Sequence, residues 1–458
     1  MTVDELKDKR IALVGVGTEN EVLAAYLAER GVQFSVCDAR RNRSTSPTTW
    51  SESVVSWHLG EEYLDHLDGY DLVFRTPGIS PLHPALKKAA AAGAGVSSQT
   101  RLFFQRCQAP ILAVTGTKGK GTTVSAIVEM LNEGPYERVW LGGNIGTPPI
   151  QYVDEVSACD LVVLELSSFQ LQDLGMSPHI AVMLNLFDDH LDYHEDRGEY
   201  LEAKRAICRF QQAEDYLISN GDSPEAMSFQ RGSSGRRMTF SITREVEDGC
   251  FVSGGSLWLR LEGEGVREKI CGVNDIPLLG HHNLANVAAA STAAAAAGAS
   301  IEAIGRGISK ISALPHRLQL VGEVCGVAYY NDSLATVPEA SLASVRAFVE
   351  PVHLIAGGSS KGADFLLLAE GIAGAKVKSV ALIGDEAERI ATALEAASFA
   401  GDVRQFDTLE ASVTALTARA QPGEVVLLAP ACASFGLFAN YAERGHAFNR
   451  LVEELQSR

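Results

Sequence analysis

The chain reads as an α/β protein of mostly parallel sheets, laid out in three successive blocks. Three observations predict this. Buried-strand runs such as RIALVGVG, PILAVTG and PVHLIAGG alternate with helix-like stretches almost throughout, the pattern of strands joined by helical crossovers. Several of these strands run straight into glycine, where a helix N-terminus follows. At 458 residues the chain exceeds one ordinary core, and its 46% hydrophobic and 21% charged content is that of a globular protein.

The first block opens on RIALVGVG, continues through a helix over 21–30 and the strand QFSVCD, and closes near Cys107. Within it YDLVFRTPGIS is a strand ending in a Pro-Gly turn, and HPALKKAAAAGAG a helix stopped by glycine. The second block starts at PILAVTG, with a helix beginning just after Lys120. Its further strands are RVWLGGN, DLVVLEL and HIAVMLNL, and a long helix covers about 199–211. RRMTFS and FVSGGSLWLRLEGEG read as an antiparallel flank turning at Gly254-Gly255. The alanine-rich NVAAASTAAAAAGA and IEAIGRGISKI are helices that close the block near Ala313. In the third block GVAYYNDS, PVHLIAGG, SVALIG and EVVLLAP are strands with helices between them, again doubly wound. RRNRSTSPTT is the best candidate for a mobile loop.

Charge and composition exclude several classes. The net charge is −18, from 57 acidic against 39 basic residues, so the chain lacks the basic excess of a general nucleic-acid binder. The eight cysteines (37, 107, 159, 208, 250, 271, 325 and 432) include no Cys-x-x-Cys pair, which points to reduced thiols in a cytoplasmic protein. MTVDELKDKR has no apolar signal stretch, and no apolar run reaches the roughly 18 residues of a membrane helix.

The chemistry-bearing motifs sit at strand ends. Gly15-x-Gly17-x-x-Asn20 lacks the third glycine of a dinucleotide fingerprint, although Asp38 after the second strand suits a ribose contact or a strand-end cap. A nucleotide diphosphate at this strand-helix junction fits better than NAD, because a helix N-terminus attracts anions. AVTGTKGKGTT is more specific. A buried strand, small and polar residues and Gly119-Lys120 open a helix, so backbone N–H groups can cradle phosphates while Lys120 supplies charge. The usual hydroxyl after the lysine is replaced by Gly121, and Thr122 or a water would have to reach the metal instead. Glu165 in LELSSFQL, and Asp189 and His190 in NLFDDHLDYH, follow the next strands, and carboxylates with imidazole suit magnesium and phosphate chemistry. By spacing alone Lys204 in EYLEAKRAI is a surface helix lysine. GHHNLANVAAA opens a helix with polar residues, readable as an asparagine cap. Lys361 and Ser434 fall just past strand ends of the third block.

Taken together and in order, GTKGKGTT, GGNIG, ELSSFQL, DDHLDYH, HHNLAN, PHRLQ, NDSLAT, GGSSKGADF and PACASF resemble the Mur ligases of peptidoglycan synthesis over essentially the whole chain. ELSSFQ with PACAS is similar to the glutamate-adding branch. The resemblance implies a Rossmann-like UDP-substrate domain (1–108), a P-loop ATPase-like central domain (109–313) and a Rossmann-like domain that brings the amino acid (314–458). It also implies the reaction. ATP phosphorylates the carboxylate of UDP-N-acetylmuramoyl-L-alanine, and the amine of D-glutamate attacks the acyl phosphate. ATP and Mg²⁺ are the implied cofactors, and the two small molecules the implied partners, with a monomer and no obligate protein partner.

Roles follow position by position. The resemblance gives the ATP loop as Gly116, Thr117, Lys118, Gly119, Lys120, Gly121 and Thr122, with Asn283, Asn286, Arg317 and Asp332 also on the nucleotide. Lys120 holds the transferring phosphate, and Asn144 contacts substrate near the reacting carboxylate. Glu165, His190 and Lys204, the last as a carbamate, bind magnesium, with Thr122 as a further donor. Thr18, Asp38, Arg40 and Thr76 match UDP-binding positions, and Lys361, Ser434 and Tyr441 the glutamate pocket. Two positions depart from the family. Gly121 stands where it has Ser or Thr, and Leu334 where the glutamate ligases usually have lysine. The alternatives are therefore an enzyme taking L-glutamate onto the same acceptor, and a non-catalytic nucleotide-binding regulator.

Overall fold

In the computed structural model of the chain, residues 1–42, 48–132, 134–187, 193–261, 266–360 and 362–457 are described. They form three principal sheets. The first has strands β1 (Ile11–Val14), β2 (Phe34–Asp38), β3 (Val54–Leu59), β4 (Leu72–Arg75) and β5 (Gly95–Ser97), all parallel, in the order β3-β2-β1-β4-β5. The order reverses at β1, so the crevice beyond β1 and β4 is where a doubly wound sheet accepts a ligand.

The second sheet comprises β6 (Ile111–Thr115), β7 (Val139–Gly143), β8 (Leu161–Glu165), β9 (Ile180–Met183), β10 (Tyr216–Asn220) and β11 (Arg236–Phe240) in the order β11-β10-β9-β6-β8-β7. β11 corrects an expectation. RRMTFS pairs parallel to β10, residue 216 opposite 236, and extends the main sheet instead of starting an antiparallel flank. The flank itself is β12 (Gly249–Ser253), β13 (Ser256–Arg260) and β14 (Arg267–Gly272), with the expected turn at Gly254-Gly255. The third sheet runs β15 (Gln319–Val324), β16 (Val327–Asn331), β17 (Val352–Gly357), β18 (Val377–Ile383), β19 (Asp402–Phe406) and β20 (Val425–Leu428) in the order β15-β16-β20-β17-β18-β19. Only β15 is antiparallel within it.

By packing, the chain divides into two units. One is Met1–Ile276 with Ala285–Ile311, the other Pro277–Leu284 with Ser312–Arg458. The first two sheets fall in one unit because their cores are continuous. Tyr152 stacks on Trp140 with ring centres 4.7 Å apart and meets Phe103 edge-on at 6.0 Å. In the second unit, apolar clusters cover both faces of the β15–β20 sheet. The helix His281–Ala296 begins in one unit and ends in the other.

The first helix after β1 spans Thr18–Glu29, starting three residues before the expected 21. Asn20 explains the difference. Its side-chain amide turns inward and donates to Val14 O (3.2 Å), Gly15 O (2.9 Å) and Phe74 O (3.3 Å), tying the ends of β1 and β4 together. A residue that breaks the dinucleotide fingerprint thus serves as a bracket between strands. Replacing Asn20 by Ala is expected to destabilise the first unit by about 1–3 kcal/mol, because buried carbonyls lose their donor. Urea denaturation followed by tryptophan fluorescence measures it.

Candidate active site

The phosphate-type loop is shaped by close backbone approach. After β6 the chain turns through 116–119 into the helix Lys120–Leu131, with Gly119 as its left-handed N-cap (φ +91°). A Cβ on Gly119 would lie 2.3 Å from Asn286 Oδ1. One on Gly116 (φ +153°) would lie 2.9 Å from Leu184 Cβ. Only glycine fits either position. The result is a cradle of backbone amides at the head of a 12-residue helix, which suits a polyphosphate.

Side chains from neighbouring strands lock this cradle. Asn185, just past β9, accepts from Lys118 N (2.9 Å) with its side-chain oxygen and donates to Lys118 O (2.9 Å). Its own carbonyl accepts from Thr117 N (2.8 Å). The Thr117 hydroxyl bonds Tyr200 OH (2.8 Å) and accepts from Phe187 N (2.9 Å). Lys120 Nζ donates to Gly116 O (3.1 Å) and Thr117 O (3.0 Å). Thr123 accepts no external role here, since its hydroxyl donates back to Gly119 O (3.0 Å), while Gly121 and Thr122 are buried in the same turn.

Lys204 is not the surface lysine that spacing suggests. It is 2% exposed, donates from Nζ to Gly116 O (3.0 Å) and reaches Thr115 Oγ1 (3.5 Å). The helix Arg197–Arg209 turns this face inward, with Tyr200 one turn away under the ammonium, 4.9 Å from ring centre to Nζ. Glu165, at the end of β8 and paired to Val114 of β6, is buried and accepts from Asn144 Nδ2 (3.0 Å). Asn144 N in turn donates to Glu165 O (2.9 Å). Lys120, Lys204, Glu165 and Asn144 are thus gathered at the C-terminal edge of β6, β7 and β8. His190 and Asp189 lie outside the described residues, so no complete metal set is on view. Among the described residues no group of three or more His, Cys, Asp or Glu forms a cation site. Glu165 supplies a hard oxygen, as magnesium requires, and a carbamate on Lys204 would supply another.

In the first sheet, Thr18, Asp38, Arg40 and Thr76 surround the turn 15–17. Thr18 is exposed at the first position of its helix, and the Thr76 methyl lies against Gly15. Asp38 accepts from Val16 N (2.8 Å), Arg40 N (2.9 Å) and the Arg40 guanidinium (2.9 and 2.8 Å). Burial pushes its carboxyl up, but the hydrogen bonds and charge of Arg40 prevail and hold it at about 2. Half of the candidate mobile loop, 43–47, lies outside the described residues.

The remaining candidates divide between the units. Asn286 belongs to the first, against Gly119. In the second, Asn283 is buried and donates to Leu279 O (2.8 Å), and half-buried Arg317 lends its charge to Asp332. Asp332 accepts from Leu318 N (3.1 Å) and from the Ser344 hydroxyl. Burial outweighs these partners and raises its carboxyl. Ser434 is buried, whereas Tyr441, 42% exposed, opens the helix Tyr441–Gln456 and accepts from Ser333 Oγ through its carbonyl (2.7 Å). Lys361 lies outside the described residues.

Arg444 organises this end and carries no role in the sequence reading. Fully buried, it donates to Ser333 Oγ (3.0 Å), Ser333 O (2.9 Å), Cys432 O (3.2 Å) and Ala433 O (3.3 Å). It thereby joins the NDSLAT and PACASF loops. The signal was present in NYAERG, one helical turn after Tyr441. Asn185 was equally readable inside NLFDDH, where attention fell on the acidic residues and histidine.

Comparison with known proteins agrees with this layout. Residues 9–98 match the family described as Mur ligase MurD-like, N-terminal domain; 114–294 match Mur ligase middle domain; and 316–432 match Mur ligase, glutamate ligase domain. The chain is 39% identical over 453 residues, 98% of each chain, to a Symbiobacterium thermophilum protein named UDP-N-acetylmuramoylalanine--D-glutamate ligase. A Clostridium botulinum (strain 657 / Type Ba4) protein of the same name is 36% identical, over 99% of this chain and 98% of its own. Among solved structures, UDP-N-acetylmuramate-alanine ligase MurC of Thermotoga maritima aligns with TM-score 0.59 at 17% identity, over 98% of this chain and 99% of that one. MurF ligase of Thermotoga maritima in complex with ADP gives the same score and identity over 100% and 97%. These two likenesses concern the fold.

Gly119→Ala is expected to weaken ATP binding at least about tenfold, because the new methyl forces the turn off Asn286 and out of the left-handed region. Equilibrium binding of a fluorescent ATP analogue measures this, and retained affinity would remove the loop from the nucleotide site.

Proposed function

Since the chain belongs to the Mur ligase family, we propose that it joins D-glutamate to UDP-N-acetylmuramoyl-L-alanine, consuming ATP, in the synthesis of peptidoglycan precursors. The observation that carries this reading is the glycine cradle after β6, with two lysines bonded to one of its carbonyls. ATP supplies the phosphoryl group that turns the acceptor carboxylate into an acyl phosphate, and Mg²⁺ offsets phosphate charge.

The chain's own residues then position and neutralise. The 116–122 backbone and Lys120 hold the polyphosphate, with Asn283, Asn286, Arg317 and Asp332 also on the nucleotide. Glu165, His190 and carbamylated Lys204 are the magnesium donors, with Thr122 in place of the hydroxyl that Gly121 lacks. Asn144, which donates to Glu165, contacts the acceptor near its reacting carboxylate in this reading. Thr18, Asp38, Arg40 and Thr76 take the UDP moiety. Lys361, Ser434 and Tyr441 take the glutamate, and Leu334 gives that pocket an apolar wall where relatives usually have a lysine. Domain boundaries at 108/109 and 313/314 go with these roles, as do a monomeric state, a cytoplasmic location and the absence of nucleic-acid, membrane or obligate protein partners. Among the described residues no helix is long and apolar enough to cross a membrane.

The carbamate has a physical motive. Lys120 and Lys204 both donate to Gly116 O, so two ammonium groups crowd one acceptor. Addition of CO₂ to Lys204, with loss of two protons from its ammonium (one to free the amine and one on forming the carbamate), replaces that repulsion by attraction and creates an oxygen donor. Lys204→Ala is expected to be nearly inactive and partly rescued by a small carboxylic acid, and ¹³CO₂ should give a carbamate NMR signal in the parent alone. Full activity of the variant, or no such signal with magnesium and substrate bound, refutes the assignment.

Lys120→Ala is expected to lower turnover by about 10²- to 10³-fold, because the transferring phosphoryl group loses its cation. Phosphate release with ATP, the UDP-linked acceptor and each glutamate enantiomer tests the function as a whole. Release with D-glutamate supports it. Release only with L-glutamate, the outcome that Leu334 would favour, keeps the ligase and reverses the handedness, and release with neither removes the proposal.

A further inference from the structure

Glu19 has no role in the reading above, and its surroundings are unusual. It is the second residue of the helix Thr18–Glu29, in the first turn, whose N-cap Gly17 supplies no side-chain cap. Its Oε1 accepts from Gln170 Nε2 (2.7 Å). Gln170 belongs to the capping box that follows Glu165, where its own Oε1 accepts from Ser167 N (2.9 Å) and Ser167 Oγ (3.1 Å). One carboxyl therefore bridges the UDP turn of the first sheet to the loop after β8.

The other oxygen, Glu19 Oε2, is buried and makes no well-formed hydrogen bond among the described residues; the Thr100 hydroxyl, itself without a well-formed bond, pulls weakly on this carboxyl. The charged groups facing Glu19 are Arg75, at the end of β4, and Asp173, just after the short helix Ser168–Leu171. Arg75 does not serve as its counter-ion. That guanidinium is committed to Asp173 (2.7 and 2.6 Å), Phe169 O (2.8 Å) and Ile79 O (3.0 Å). The nearby Arg40 is likewise paired with Asp38. Among the described residues a carboxylate here has no cation of its own and only the weak pull of the Thr100 hydroxyl beyond its amide donor, whereas a protonated carboxyl removes the charge.

We propose that Glu19 is a positioning residue that must carry a proton for the UDP-linked acceptor to bind, so that binding draws one proton from solvent onto its carboxyl. The inference rests on the reading of the turn at 15–18 as the diphosphate subsite. A diphosphate diester at the first turn of this helix is anionic, and a charged Glu19 two residues into the same helix opposes it. A neutral Glu19 does not, and it keeps its bond from Gln170 through Oε1. Burial, aided by the charge of Asp173, already raises this carboxyl to about 7, against the weaker opposing pull of Gln170, Arg75 and the Thr100 hydroxyl. The switch therefore lies in the neutral range. Binding and protonation are linked, so each favours the other by the same factor.

The test is calorimetric titration of the full chain with UDP-N-acetylmuramoyl-L-alanine, whose diphosphate diester does not titrate near neutrality. Titrations at about pH 8 in Hepes and in Tris report proton uptake through the difference in buffer enthalpy. The expected result is uptake approaching one proton at about pH 8, much less at about pH 6, and a Kd that weakens on the order of tenfold over that range. Glu19→Gln keeps the shape and the amide partner but cannot titrate. It is expected to bind without proton uptake, with a Kd independent of pH and tighter than the parent's at about pH 8. Absence of uptake in the parent, or the same pH dependence in Glu19→Gln, overturns the proposal, and the parent measurement decides alone if the variant fails to fold. Failure of the folded parent to bind the UDP compound at about pH 6 instead overturns the functional reading beneath it.

Discussion

Everything at the centre of this molecule depends on how tightly the backbone passes from β6 into the helix that follows. Between residues 184–185 on one side and Asn286 on the other, there is room at positions 116 and 119 for backbone alone. That closeness lets Asn185 clamp Lys118 with both ends of its amide, and lets Thr117 bond to Tyr200. It also brings the Gly116 carbonyl within reach of lysines from two different helices. A side chain at either glycine would push the loop outward and scatter donors that only its backbone holds together. The site is preorganised by exclusion of volume, and its electrostatics follow from that.

The second unit meets the opposite difficulty, a buried cation that has no carboxylate partner among the described residues. Arg444 is fully enclosed, and burial pushes its guanidinium down to about 10, still charged at neutrality. Carbonyls of Ser333, Cys432 and Ala433 take its protons in place of an acid. These carbonyls belong to the two loops that carry Asp332 and Ser434, so one side chain fixes the spacing between candidate nucleotide and glutamate residues of that unit. Arg suits this position because its planar fork reaches several acceptors at once, which a lysine's single ammonium does not.

The elements legible in the sequence were those with unbroken apolar runs. β1, β6, β8 and β17 are buried along their whole length, and their ends located most of the chemistry. The strands that escaped notice are edge strands or lie close to an edge. β3, β15 and β19 are half-exposed and interrupt their apolar residues with polar or charged ones, so their pattern resembles that of loops. β11 was seen but misdirected, because strand orientation is set by the crossover through 221–235 and leaves no mark on RRMTFS itself. Lys204 shows the other limit. Its spacing on an amphipathic helix gives no hint of burial, since what holds it is a carbonyl 88 residues earlier in the chain.

Two acids beside the same first-sheet turn show how far local partners outweigh residue type. Asp38 has Arg40 and two backbone donors, and its ordinary value of 3.8 falls to about 2. Its stabilising contribution is present above about pH 4 and is lost as pH falls toward 2. Glu19 has one amide and the weak pull of the Thr100 hydroxyl, and under burial its ordinary value of 4.5 rises to about 7. Its neutral form suits the fold below about pH 4.5, and that advantage is lost as pH rises through 7. The pair cannot both be at their best at neutrality, and the misfit falls wholly on Glu19. A sequence optimised for stability alone would place a neutral amide or an apolar side chain there. A local inconsistency of this kind, beside the turn proposed to take the UDP moiety, points to a residue whose charge answers to something other than folding.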